Sequence, residues 1–214
     1  MSKKVLSRET DKNILLMVLS ILAIIFSVAY IFVIITIVED TNFYGIINSL
    51  ILPIGVGLLL SAYTKHKKNL QKPLMGALLA YQFSTTLTFF SLKTEENTIF
   101  GSVSYTSSIS VLLSVIGIVM LGVIVVNHFI LNETSLSRSN YVLISKIALV
   151  VLLLSYVAQV IIGALGSEYS NSIVIVSMSI AYLRDFFLVA VIVHIESKID
   201  IYKQQREQKN DTQE

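Results

Sequence analysis

Apolar residues gather along this chain in six long runs separated by short polar stretches: Ile14–Val38, Phe43–Tyr63, Pro73–Leu92, Ile109–Leu131, Tyr141–Leu165 and Ser172–Ile195. Each run is close to the ~20 residues that a helix rising about 1.5 Å per residue needs to cross about 30 Å of hydrocarbon. The runs have almost none of the polar face that a helix packed in water requires, and no short alternating strands of a membrane β-barrel. Hydrocarbon offers backbone groups no hydrogen-bond partners, so runs of this length must satisfy them internally, as helices. The pattern predicts an all-α, polytopic membrane protein with six transmembrane helices. Residues 1–13 then form an N-terminal segment, 14–195 one membrane domain and 196–214 a tail.

Composition agrees with this reading. Of 214 residues, 54% are hydrophobic and 14% charged, against about 25% charged in an ordinary soluble domain. The first run is too long for the apolar region of a signal peptide, and Val38-Glu39-Asp40 follows it in place of a small-residue cleavage site, so it reads as a retained span. The chain has no cysteine, which excludes disulfides, thiolate metal sites, cysteine nucleophiles and palmitoylation.

The net charge of +2 says little, but its distribution says more. Lys3, Lys4, Arg8 and Lys12 precede the first run. Lys65, Lys67, Lys68 and Lys72 lie in the second connection, Arg138 in the fourth with Lys146 just beyond it, and Lys198, Lys203, Arg206 and Lys209 in the tail. Of the remaining cations, Lys93 lies in the third connection and Arg184 within the sixth run. Cytoplasmic connections carry the excess of Lys and Arg, so both termini are expected inside. The opposite connections are acidic or neutral, with Glu39, Asp40, Glu95, Glu96 and Glu168. The sequons at Asn132 and Asn210 fall on the expected inner side and are read as unglycosylated. A bacterial plasma membrane is the expected setting.

Arg184-Asp185 is the charged pair in the middle of a run. A charge at the bilayer centre costs at least about 2.5 kcal/mol on insertion scales, so these side chains must face the bundle or water. Neighbours on a helix project about 100° apart, so the two are not expected to pair fully with each other. Gln82, at matching depth beside Tyr81, is the expected neutral partner, and Tyr182 extends the polar arc of the sixth run. Asn48, Tyr156 and Gln159 lie nearer the outer side, and Ser84, Thr85, Thr86 and Thr88 extend the third run's polar character outward. Two readings stand. In one, Arg184 holds an anionic group and Asp185 a cation or proton, in a binding or translocation site. In the other, the charges form a buried clamp that fixes helix register.

Pro53, Gly55 and Gly57 fall at the centre of the second run. Proline can kink a helix and expose carbonyls to a ligand. Close helix packing accounts for such residues equally, as it does for the small pairs Gly76 with Ala80, Ser110 with Ser114 and Ser177 with Ala181. Lys146 can snorkel to the interface. His66, His128 and His194 sit near the inner ends of the even runs and read as interface histidines, not metal ligands.

No His-Glu-x-x-His, Gly-x-Ser-Gly or phosphate-binding glycine loop occurs, so an enzyme is not expected and no cofactor is implied. The expected partners are the lipid bilayer, a small charged solute and a protein at the cytoplasmic tail, where Ile195, Ile199 and Tyr202 make one apolar stripe. Nucleic acid is not expected. Two functions fit: a small-solute transport component, or a non-transporting sensor, immunity or accessory subunit acting through the Lys93–Ser108 loop and the tail.

Overall fold

The computed structural model describes residues 3–37, 43–65, 67–99, 105–133, 138–165 and 172–211. They form six helices: α1 (Lys3–Ile37), α2 (Phe43–Thr64), α3 (Lys68–Ile99), α4 (Tyr105–Glu133), α5 (Arg138–Leu165) and α6 (Ser172–Asp211). The stretch read as an outer loop, Lys93–Ser108, is partly helical, because α3 runs on to Ile99 and α4 begins at Tyr105. Its side chains, those of Asn48 and Thr88, and those beyond Lys198 lie outside the described residues, as do His66 and the acidic connections at 39–40 and 168.

Among the described residues, four helices hold stretches long and apolar enough to cross a membrane: Ile14–Val33, Ile109–Ile130, Asn140–Leu165 and Ile175–Lys198. A shorter apolar stretch, Leu50–Thr64, lies in α2. α3 is the more polar helix, carrying Gln71, Lys72, Gln82 and a Ser/Thr cluster within its span.

The bundle is apolar on the outside. In α1, the buried face is Leu16, Ser20, Ala23 and Ser27, while Met17, Ile21, Ile25, Val28 and Phe32 face outward. The inward residues recur at helical spacing and, after Leu16, are small, which brings neighbouring backbones close. Their hydroxyls are satisfied locally: Ser20 Oγ donates to the Leu16 carbonyl at 2.7 Å and Ser27 Oγ to the Ala23 carbonyl at 2.6 Å. Large side chains are exposed along α4 and α5 as well, including Leu112, Val119, Val126, Ile147, Leu154 and Ile161. So continuous an apolar surface suits lipid, where outward-facing large apolar residues carry no hydration penalty.

Each helix packs on the next, and α6 closes the ring on α1 while also touching α3. α6 is the central post. Leu188, Val189, Ala190, Val191, Ile192 and Val193 are all buried in succession. Six consecutive positions cover more than a full turn, so this part of α6 is surrounded on every side. The core against it comprises Leu52, Val56 and Leu59 of α2, Leu79 of α3, Leu121 of α4 and Leu152 of α5. Phe26 of α1 stacks on Phe187 of α6 with ring centres 5.5 Å apart.

α2 remains one helix through Pro53. Gly55 lets α2 approach α3, since a Cβ there would run into Leu78, whereas a Cβ on Gly57 would meet nothing within 4 Å. Helix packing therefore accounts for Gly55, and Gly57 is exposed.

Candidate functional site

Arg184 and Asp185 lie where α6 meets α1 and α3, and both are buried, 7% and 8% exposed. Contrary to the expectation from their angular separation, they bind each other. Arg184 Nε donates to Asp185 Oδ1 at 2.7 Å, and Nη2 approaches the same oxygen at 2.7 Å. The physical reason is reach: the guanidinium at the end of its flexible stem folds back across the gap that the Cα–Cβ directions leave. A face of the guanidinium is occupied too. Its central carbon sits 4.0 Å from the centre of the Tyr30 ring of α1, an attraction worth about 2 kcal/mol or more where desolvated.

Gln82 of α3 is fully buried, at 0% exposure. Its amide lies alongside Asp185 and acts on the carboxylate's charge. Neither Nε2 nor Oε1 closes a hydrogen bond of good distance and angle. Thr85 and Thr86 instead donate to the Gln82 backbone carbonyl, at 2.9 and 2.8 Å. A buried amide left open costs about 1–3 kcal/mol, so this corner has polar capacity to spare. Tyr81, half-buried, stands near enough to sense both charges, as does Tyr156.

Tyr182 turns elsewhere. Its hydroxyl donates to Gln159 Oε1 of α5 at 2.6 Å, and Ser114 Oγ of α4 shares that oxygen at 3.1 Å. Tyr182 and Tyr156 stack with centres 4.6 Å apart and planes 11° apart. Gln159 and Tyr156, read as lying nearer the outer side, are buried in this knot at 3% and 5% exposure. A cavity of about 220 Å³ borders it between α5 and α6, lined by Leu153, Tyr156, Val157, Val160, Ser179 and Tyr182 among others. It is almost wholly apolar, and Arg184, Asp185 and Gln82 do not line it.

The structure thus gathers Arg184, Asp185, Gln82 and Tyr81 and sets Tyr182 in a neighbouring network. It adds Tyr30, which the sequence reading passed over. An Arg at mid-depth needs a large π face or an acceptor nearby, and a Tyr at comparable depth in another run was the available signal. His128, read as an interface histidine near the inner end of its run, is 2% exposed and 2.5 Å from Glu196 of α6. Glu196, Ser197 and Lys198, placed in the tail by sequence, are buried in the bundle. Among the described residues no group of three His, Cys, Asp or Glu could hold a metal ion.

Fold and site define the class: an all-helical protein whose four long apolar helices are compatible with an integral membrane protein. No protein-family model, no curated protein and no solved structure matches the chain.

Proposed function

We propose that this chain is an integral membrane protein of six spans with both termini in the cytoplasm, and that it serves as a small-solute transport component and not as an enzyme. Its site is the centre formed by Arg184, Asp185 and Gln82. The open amide of Gln82 beside a buried ion pair carries this reading. A clamp that only fixes helix register gains nothing from an unsatisfied donor and acceptor at its edge. A small charged solute supplies the missing partners: an anionic group drawn to Arg184, a cation or proton drawn to Asp185, and a polar edge read by Gln82.

Gln82→Leu tests this directly. The variant should fold as well as wild type or be stabilised by up to about 3 kcal/mol, because an amide without partners gives way to an apolar group of similar size. It should also lose solute binding. In a thermal-shift screen of small charged solutes, a ligand at about 100 times its Kd raises wild-type stability by about 2.7 kcal/mol and should leave Gln82→Leu unmoved. A solute that stabilises both equally would place binding elsewhere.

Topology has its own test, since the chain lacks cysteine. A single cysteine replacing Ser102 should react with a membrane-impermeant thiol reagent on intact cells, and one replacing Asn132 only after lysis. The reverse result rejects the orientation.

One observation favours the second reading, a sensor, immunity or accessory subunit. α6 continues unbroken to Asp211, about 20 Å past Lys198 at ~1.5 Å per residue, which suits a protein partner at the tail. Removing residues 199–214 would then abolish function and spare solute binding.

A further inference from the structure

α6 carries a second buried charged centre, about 18 Å from Arg184 and Asp185 along the helix at ~1.5 Å per residue. Glu196 Oε1 lies 2.5 Å from His128 Nδ1, and the two side chains are 3% and 2% exposed. The contact is unusual in its route. His128 belongs to α4, which does not pack on α6 as a neighbour in the ring. The imidazole reaches Glu196 by passing α3 where α3 carries Gly76, and a Cβ on that glycine would stand 3.2 Å from His128 Nε2. The missing side chain on α3 is what admits the ring.

Chemistry requires a hydrogen in this contact. Two bare acceptors at 2.5 Å would repel, so either Nδ1–H donates to the carboxylate or a carboxyl O–H donates to Nδ1. This leaves two charge states one proton apart. Neutral imidazole with carboxylate is net negative. Imidazolium with carboxylate, or neutral imidazole with carboxylic acid, is net neutral. Each keeps the bridging hydrogen, so the contact survives the gain or loss of the other proton. Glu196 Oε2 is buried without a partner. A bridge serving packing alone would have both oxygens satisfied.

Other polar and charged groups lie on the elements around the pair. On α6, His194 is half-buried, and Lys198 is buried with its ammonium 5.8 Å from the Tyr63 ring centre of α2. On α3, Gln71 Nε2 donates to the Ala62 carbonyl of α2 at 3.0 Å. On α4, Asn127 Nδ2 donates to Ser145 Oγ and to the Tyr141 carbonyl of α5, at 3.2 and 3.3 Å. Lys65, Lys67, Lys72 and Lys146 are exposed. Side chains of α1 before Ile14 lie outside the described residues.

We propose that His128 and Glu196 form a reversible proton-binding site linking α4 to α6. The ligand is a proton, and the site needs no solute at Arg184 and Asp185. In a transport component it is a place for a coupling proton, and in a sensor it makes the α4–α6 contact responsive to pH.

Proton uptake by the purified full chain tests it. Taken from the alkaline to the acid limit of the folded range, wild type should bind about one proton per chain more than the double variant His128→Gln, Glu196→Gln. Equal uptake by folded proteins overturns the proposal. Should the double variant fail to fold, infrared difference spectra over the same range use wild type and Glu196→Gln, which keeps the shape and a hydrogen-bonding partner. With isotope-labelled histidine, a coupled imidazole and carboxyl change should appear in wild type and be lost in Glu196→Gln. A change that survives Glu196→Gln, or no coupled change in wild type, overturns it.

Discussion

Replacing Arg184 and Asp185 together by leucine will leave the protein melting at or above the wild-type temperature, while either single replacement will cost about 3–5 kcal/mol. The asymmetry follows from burial. Each residue is the other's main counter-charge, with both guanidinium contacts falling on one carboxylate oxygen. Arg184→Leu leaves a buried carboxylate with only the Gln82 amide beside it, and Asp185→Leu leaves a guanidinium with only the Tyr30 face for compensation. The double change removes both desolvation penalties together, and apolar groups of similar volume often replace a buried ion pair at no cost. Thermal melting of the four proteins in one detergent reads the fold, and a solute-induced shift reads the site. A double variant that folds but binds nothing supports the transport reading. A double variant that keeps full activity reduces the pair to a clamp and removes that reading's main support.

Two glycine substitutions should give different results although both glycines lie in helix interiors. Gly76→Val should cost about 1–3 kcal/mol, the usual penalty of overpacking, and should unseat His128 from Glu196. The imidazole Nε2 lies 3.2 Å from the position where the new Cβ would stand, closer than ordinary contact, with the Phe129 ring beside it. Gly57→Val should change stability by no more than about 0.5 kcal/mol, as surface changes do, because that Cβ points into open space. Denaturation midpoints measure both effects, and the His128–Glu196 infrared signature should be lost only in Gly76→Val. Equal costs at the two positions would mean that Gly76 does not make the passage for the ring.

Pro53, Gly55 and Gly57 show where sequence stops. Their clustering points equally to a ligand-exposing kink and to close packing, because composition along one helix carries no information about the neighbour's surface. Leu78 of α3 stands against Gly55, and nothing stands against Gly57. Arg184 and Asp185 show the same limit. Their depth was legible because an ionised group cannot face hydrocarbon. Their mutual contact was not, because backbone periodicity places a Cβ and not the end of a long side chain.

By itself the sequence determined the helices, their approximate bounds, the apolar solvent that four of them suit, and the need for Arg184, Asp185 and Gln82 to turn inward. These follow from the length and hydrophobicity of single segments, which are local properties. Tertiary structure decided which helix is central, that Tyr30 covers Arg184, that Gln82 is left open, that Tyr182 joins Gln159, and that His128 crosses from α4 to Glu196 on α6. Those outcomes depend on how six helices rotate and approach one another, and the packing of small residues such as Gly55 and Gly76 between them sets that approach.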